Sequence, residues 1–311
     1  MTFDDGATAT AVGDGEGAWA PLQNDDVVAF LGMSADERED AAGRALAERV
    51  RVTDPAPLLP FAPASFRAFS VFEQHMIDSG RALAKSFLSP AAGGVIDTYE
   101  KATRGTFPKL KPAKLAKKHP LYYLGNHRAF ITEGETVEWP HYCDWLDYEL
   151  ELGFVLSRPV KDANAEQALE AIGGFFVVND WSARDTQWEE YRDGIFGPVI
   201  KAKGFANSMS AEVVTADEIL PHASALTGTV HVNGEAKGSS SSAGMSHSFA
   251  DMVAYASRGE QLRPGDMLAT GTFAGCCGLE RMEKLAPGDR VELEIDRVGR
   301  LENTVGVKPA H

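Results

Sequence analysis

A mixed α+β fold, with strands rolled into a barrel-like core and helices on its periphery, is what this sequence predicts. From Pro120 onward the signals are mostly short strands separated by turns. Asn233-Gly234 is a hairpin turn pair, and Pro264-Gly265-Asp266 marks a further reversal. The helical stretches are short and interspersed among these strands, and no internal repeat is visible.

Taken in order, residues 1–20 are rich in Gly, Ala and Asp, with weak strand signals at Ala7–Val12. Ser34-Ala35-Asp36-Glu37 reads as a capping box opening a helix to about Val50. Pro55, Pro57, Pro60 and Pro63 punctuate a linker. A small N-terminal segment, 1–62, is therefore expected before the main domain, 63–311. Ser65 to about Leu88 reads as one helix, because Phe66, Phe69, Phe72, Met76 and Leu83 recur at helical spacing. Residues 89–120, with Gly93-Gly94 and a Pro-Lys-Leu-Lys-Pro run, read as an irregular, lid-like insertion. Strands are predicted at Tyr122–Leu124, Leu146–Leu156, Phe175–Asn179, Val213–Thr215, Thr227–Val232, Met267–Thr270 and Arg290–Val298. Helices are predicted at Ala165–Ile172, Ser182–Tyr191 and Ser248–Ser257, and a flexible loop at Gly238–Gly244.

The 311 residues suffice for one large domain or a domain with a small appendage, and 44% apolar residues suit a globular chain. No window is apolar enough for a membrane helix, and Met1-Thr2-Phe3-Asp4-Asp5 carries no secretory signal. Cys143, Cys276 and Cys277 offer neither a disulfide framework nor zinc-ligand spacing, so a reducing cytoplasm is expected. A net charge of −15 argues against nucleic-acid binding. One stretch opposes that balance. Lys101, Arg104, Lys109, Lys111, Lys114, Lys117 and Lys118 form a run without an acid, either a solvated loop or a basic funnel for a small anion.

The chemistry concentrates in two neighbouring motifs. In Asp147-Tyr148-Glu149-Leu150-Glu151-Leu152, the two glutamates are two apart, so on a strand both leave one face. Two like charges there resist desolvation unless a cation sits between them, and hard divalent ions favour such an all-oxygen setting. Alone, the pair reads as an exposed edge with two solvated glutamates. The second motif, Asn179-Asp180-Trp181-Ser182-Ala183-Arg184-Asp185-Thr186-Gln187, adds Asp180 after an apolar strand, as a ligand, a helix N-cap or both. Arg184 and Gln187, three apart on the following helix, are neighbours on one face.

In this order, with Lys203-Gly204-Phe205-Ala206-Asn207-Ser208, Leu262-Arg263-Pro264-Gly265-Asp266 and Thr270-Gly271-Thr272, the chain resembles the fumarylacetoacetate hydrolase family over roughly residues 65–305. The resemblance implies a mixed β-roll, homodimers, a divalent ion (Mg²⁺, with Mn²⁺ or Ca²⁺ as alternatives) and small anionic keto-acid substrates. Glu149, Glu151 and Asp180 become the metal ligands. His75 becomes the general base, oriented by Glu280 rather than by Glu73. Arg184, Gln187 and Lys203 become catalytic and substrate-polarising groups, with Lys201 the competitor for Lys203. Tyr123 and Thr272 become substrate contacts, and Asp185 takes a salt-bridge or capping role.

The resemblance also exposes a departure. Fumarylacetoacetases carry an aspartate one helical stripe before the histidine, where this chain has Ala68. That leaves three protein carboxylates and opens acylpyruvates, oxaloacetate-like acids and other 1,3-dicarbonyls as substrates. The expected reaction is metal-dependent hydrolysis of a carbon–carbon bond in a β-diketo acid or acylpyruvate. The alternative is decarboxylation, tautomerisation or (de)hydration of a small keto acid such as oxaloacetate, through an enolate held at the same ion.

Overall fold

The computed structural model describes residues 1–3, 6–23, 26–48, 52–53, 55–197 and 199–309. Its largest sheet is mixed. Ser65–Phe69 lies between the antiparallel Tyr122–Leu124 and the parallel Asp266–Ala269. The sheet then continues antiparallel through Leu150–Leu156 and Ile172–Asn179 to Asn207–Met209, with Phe130–Ile131 at the edge. A second sheet orders Glu235–Ser241, Thr227–Val232, Arg290–Ile295, Gly299–Val305 and Thr136–Val137. The expected α+β β-roll is what forms.

The central strand explains where the core sits. Leu150, Leu152, Phe154 and Leu156 enter one apolar cluster, while Val155 enters a second with Phe66, Ala68, Phe176 and Val178. A strand buried on both faces reads as an almost unbroken apolar run. A charge within it is conspicuous for the same reason.

The N-terminal residues build their own small sheet, Ala11–Gly13, Ala18–Pro21 and Val52–Thr53. A helix over Ala35–Glu48 is closed by the predicted capping box, with Ser34 N donating to Glu37 Oε2 at 2.9 Å. Its expected end at Val50 lies outside the described residues.

Three expectations are corrected. Ser65–Phe69 is a strand, and the helix starts only at Glu73, running to Phe87. Phe66 and Phe69 mimic a helical repeat, but Phe66 and Ala68 face one cluster while Phe69 faces the other. Pairing with two partner strands overrides the local pattern. Residues 89–120 are largely helical: Pro90–Thr103, then Pro108–Leu110 and Lys114–Lys118. The overlooked signal was Ser89-Pro90, an N-cap followed by proline at the first helical position. Gly238–Gly244 is not a free loop. Glu235–Ser241 pairs along Thr227–Val232, in a register set by the Asn233-Gly234 turn, whose residues have φ of 53° and 79°.

The remaining elements match in kind. The predicted Leu146–Leu156 strand is interrupted at Tyr148 and Glu149. Ser182–Ala183 form a short strand against Leu146–Asp147, so the following helix begins at Arg184 and runs to Asp193.

Candidate metal and carbonyl-chemistry centre

Antiparallel pairing builds the acidic centre. Val178 lies opposite Glu151 and Asn179 opposite Leu150, so one strand ends where the other begins. Asp180 N then donates to Glu149 O at 3.1 Å, and Asn179 Oδ1 accepts from Glu149 N at 2.9 Å. Glu149, Glu151 and Asp180 each bring a carboxylate oxygen to within 4.8 Å of the other two, and all three are buried. The helix N-cap expected of Asp180 is not formed, because that helix starts four residues later with Ala183 as its cap.

The charges are unbalanced. Burial, with Asp180 and Glu149 alongside, pushes the Glu151 carboxyl well above its ordinary range. Burial likewise raises Asp180, although Lys203 pulls against it. Glu149 goes the other way: burial opposes its ionisation, but Lys203, Arg184 and His75 outweigh that and hold it low. One ammonium therefore serves three converging acids. The donor set fits a hard divalent cation, which takes oxygen ligands and would relieve the charge on Glu151 and Asp180.

Each acid is oriented by further groups. Lys203, 4% exposed, donates to Asp180 Oδ2 at 2.9 Å and also to Glu149. Lys201 is exposed, so Lys203 is the lysine that the fold brings to the acids. Tyr123 Oη donates to Asp180 Oδ2 at 2.6 Å. Asn207, with its amide oriented to satisfy both neighbours, donates to Asp180 Oδ1 at 3.0 Å. Gly271 N donates to Glu151 Oε2 at 3.2 Å, beside the buried Thr272. Only glycine fits there: φ is 85°, and a Cβ would stand 2.3 Å from Phe69 O.

Arg184 is buried and fully engaged. Its Nε and one terminal nitrogen donate to Asp147 Oδ2 at 2.8 and 2.7 Å, and the latter also meets Glu149 at 2.7 Å. The other terminal nitrogen donates to Gln187 Oε1 at 2.9 Å. That bond fixes the amide, so Gln187 keeps its NH₂ end for any further partner. Asp185 neither bridges nor caps its own helix; it accepts Asp144 N at 2.7 Å.

On the facing side, His75 Nδ1 lies 2.5 Å from Glu280 Oε1, and Gly275 N holds the other Glu280 oxygen at 2.5 Å. Glu280, not Glu73, is the carboxylate brought to the imidazole. With Nδ1–H donating to Glu280, the free lone pair is on Nε2. Nε2 stands 3.8 Å from Glu149 Oε1, beyond hydrogen-bond reach and directed at the acidic centre. Ala68 is not on the His75 helix; it lies on the Ser65–Phe69 strand opposite Tyr123 and Ala269.

Among what sequence reasoning missed is an organiser, Asp147. Besides Arg184, it accepts Gly278 N and Leu279 N, each at 2.8 Å, two residues and one residue before Glu280. A Cβ on Gly278 would stand 2.5 Å from Asp147 Oδ1. Asp147 thus ties the Glu280 turn to Arg184. An aspartate two residues ahead of the Glu-x-Glu pair was the available clue. Asn207 was missed too, since a strand asparagine carries no distinguishing pattern.

A mixed β-roll enclosing three converging carboxylates, faced by a histidine–glutamate pair, defines a protein with a buried acidic centre that could hold a divalent cation. Residues 98–306 match the fumarylacetoacetate (FAA) hydrolase C-terminal family model, and the chain belongs to that family. The 4-hydroxyphenylacetate degradation bifunctional isomerase/decarboxylase of Escherichia coli is 29% identical over 251 residues, 73% of this chain and 55% of that protein. The chain thus spans about half the length of the isomerase/decarboxylases it matches. Mitochondrial oxaloacetate tautomerase FAHD1 of Rattus norvegicus is 30% identical over 169 residues, 54% of this chain and 76% of the relative. The fumarylacetoacetate hydrolase of Exiguobacterium antarcticum shares the fold, with a TM-score of 0.72, 23% identity, and coverage of 99% of this chain and 98% of its own. A Burkholderia cenocepacia structure described as a candidate fumarylpyruvate hydrolase aligns with a TM-score of 0.55 and 29% identity, covering 61% of this chain and 79% of that one.

Proposed function

We propose that this chain is a divalent-metal-dependent hydrolase that cleaves a carbon–carbon bond in an acylpyruvate-type β-diketo acid. The observation that carries the reading is the His75–Glu280 pair, with Nε2 turned toward Glu149 at 3.8 Å. Such a pair suits removal of a proton from water.

Glu149, Glu151 and Asp180 would hold the ion, Mg²⁺ before Mn²⁺ or Ca²⁺, which when bound supplies Lewis acidity toward dicarbonyl oxygens. His75 Nε2 takes a proton from water, Glu280 steadies the resulting imidazolium, and the hydroxide adds to the distal carbonyl. The Gln187 NH₂ and the Lys203 ammonium stabilise the oxyanion. Arg184 acts by holding Gln187 and Glu149 in place. The carbon–carbon bond then breaks with its electron pair on the pyruvate side, and the imidazolium returns the proton to that carbon. Tyr123 and Thr272 contact the substrate. Residues 89–120, tied to the His75 helix by Arg81–Glu100 at 2.9 Å and Lys85–Asp97 at 2.5 Å, serve as a basic lid for the anionic substrate. The working unit is a homodimer in a reducing cytoplasm.

A second reading is favoured by the names of the relatives: isomerisation, decarboxylation or tautomerisation of a small keto acid such as oxaloacetate. It uses the same carboxylates and Lys203 but needs no activated water. Purified protein with Mg²⁺ is assayed against an acylpyruvate and against oxaloacetate, with and without His75→Ala. Acylpyruvate cleavage that disappears in the variant supports hydrolysis. Oxaloacetate turnover that survives the variant, with no acylpyruvate cleavage in the parent, replaces it with the second reading.

A further inference from the structure

We infer a second, softer metal site beside the carboxylate centre: His75, Cys277 and Glu280 form a trap for a thiophilic divalent ion such as Zn²⁺, and filling it disables the base. The inhibition rests on the proposed role of His75; the site itself does not.

The geometry is specific. One ligand atom from each of the three lies within 4.8 Å of the other two. Bonds of about 2.0–2.1 Å to nitrogen and oxygen and about 2.3 Å to sulfur put tetrahedral donors roughly 3.3–3.7 Å apart. Closing on an ion therefore needs only a short movement of the thiol and a slight opening of the His75–Glu280 pair. The turn is already fixed for this. Gly275 N holds Glu280, Asp147 holds Gly278 and Leu279, and Cys277 pairs with Glu149 in an isolated antiparallel bridge. That bridge sets the two candidate sites back to back on adjacent backbone.

The donor types differ between the two sites. Three carboxylates select hard ions, whereas a nitrogen, a thiolate sulfur and one carboxylate select zinc-like ions. Three protein ligands leave a fourth position for water. Cys277 has no part in the hydrolytic steps, yet its side chain is buried against Ala82, Trp145 and Leu279 beside the base. Binding releases the thiol proton to solvent and shifts the single imidazole N–H from Nδ1 to Nε2, so a thiolate, a neutral ring nitrogen and the Glu280 carboxylate face the ion. With the ring pinned to the ion, His75 loses the Glu280 support that a base requires.

Co²⁺ titrated into the full-length protein at saturating Mg²⁺ tests the site without reference to turnover. The expected result is a near-ultraviolet thiolate-to-cobalt charge-transfer band saturating at one equivalent. It should disappear in Cys277→Ser and persist in Glu151→Gln, where the oxygen centre is disabled. No band in the parent, or an undiminished band in Cys277→Ser, overturns the proposal. In parallel, the Zn²⁺ concentration that halves turnover at saturating Mg²⁺ should rise at least about tenfold in Cys277→Ser, the scale on which losing one metal-site partner acts. Its uninhibited turnover should be unchanged. Equal sensitivity of the two proteins would assign inhibition to the carboxylates and overturn the regulatory part. A protein that shows the cobalt band but turns over no keto acid sinks the functional reading and leaves the site standing.

Discussion

The two halves of the centre follow opposite electrostatic plans. On the sheet, Glu149, Glu151 and Asp180 converge with Lys203 as their nearest ammonium, and burial drives Glu151 and Asp180 toward their neutral forms. On the helix side, His75 and Glu280 satisfy each other, and a backbone amide holds the acid. The first half gathers buried acids whose charge a cation would relieve; in the second, acid and imidazole already pair with each other. Substitutions should therefore separate binding from turnover according to the half they strike.

The largest effect is expected from His75→Ala, which should lower kcat by about 10²–10⁴ while bound metal, measured by elemental analysis, stays the same. Lost metal in that variant would break the division between halves. Next, Glu151→Gln should weaken metal binding by at least about a hundredfold in calorimetry, given that even outer-sphere partners cost up to that much. The metal-free variant should also melt higher than the parent. Because the folded-state pKa of Glu151 is raised, its stability contribution is present at low pH and lost as pH rises. The melting advantage must therefore grow with pH, and a constant difference would contradict the buried-charge argument.

Asp147→Asn tests the link between halves. An amide cannot accept from Arg184 and two backbone amides as a carboxylate does, so kcat should fall roughly 10–100-fold with KM little changed. Stability should drop by less than the roughly 3–5 kcal/mol of a fully unpaired buried charge, because Arg184 keeps Glu149 as a partner. Unchanged kcat would mean the turn and Arg184 are independent. The smallest effect is a control outside the centre. Glu133 is pushed up to about 7 by burial, with Glu212 and Glu302 adding to the shift and Arg300 opposing it. Its folded pKa exceeds its ordinary value, so stability is lost as pH rises from about 4.5 through 7. Glu133→Gln should gain roughly 1–2 kcal/mol above pH 7, discounted for partial exposure, and nothing below pH 4. Denaturant melts at two pH values decide it.

The sheet half was legible because its chemistry interrupts a pattern. Acids inside an apolar run at Glu149 and Glu151, and again at Asp180, mark themselves by contrast with their neighbours. The register that joins them, Val178 opposite Glu151, is seen only in the strand pairing. The helix half was harder. His75 and Glu280 are 205 residues apart, and nothing local in either stretch announces the other. Phe66 and Phe69 imitated a helix because three-residue spacing is compatible with both periods when two cores flank a strand. Asp147 went unassigned because, Arg184 apart, its partners are main-chain amides, which every sequence possesses and none displays.

The Arg184–Gln187 bond carries a last consequence. Because the guanidinium occupies the amide oxygen, the amide shows only hydrogens to whatever meets it. A ketone or an oxyanion can accept there; an enol that points its own hydroxyl hydrogen at the same spot is refused. One internal contact, far too small to notice in a sequence, would in the proposed reaction favour one form of the compound over the other.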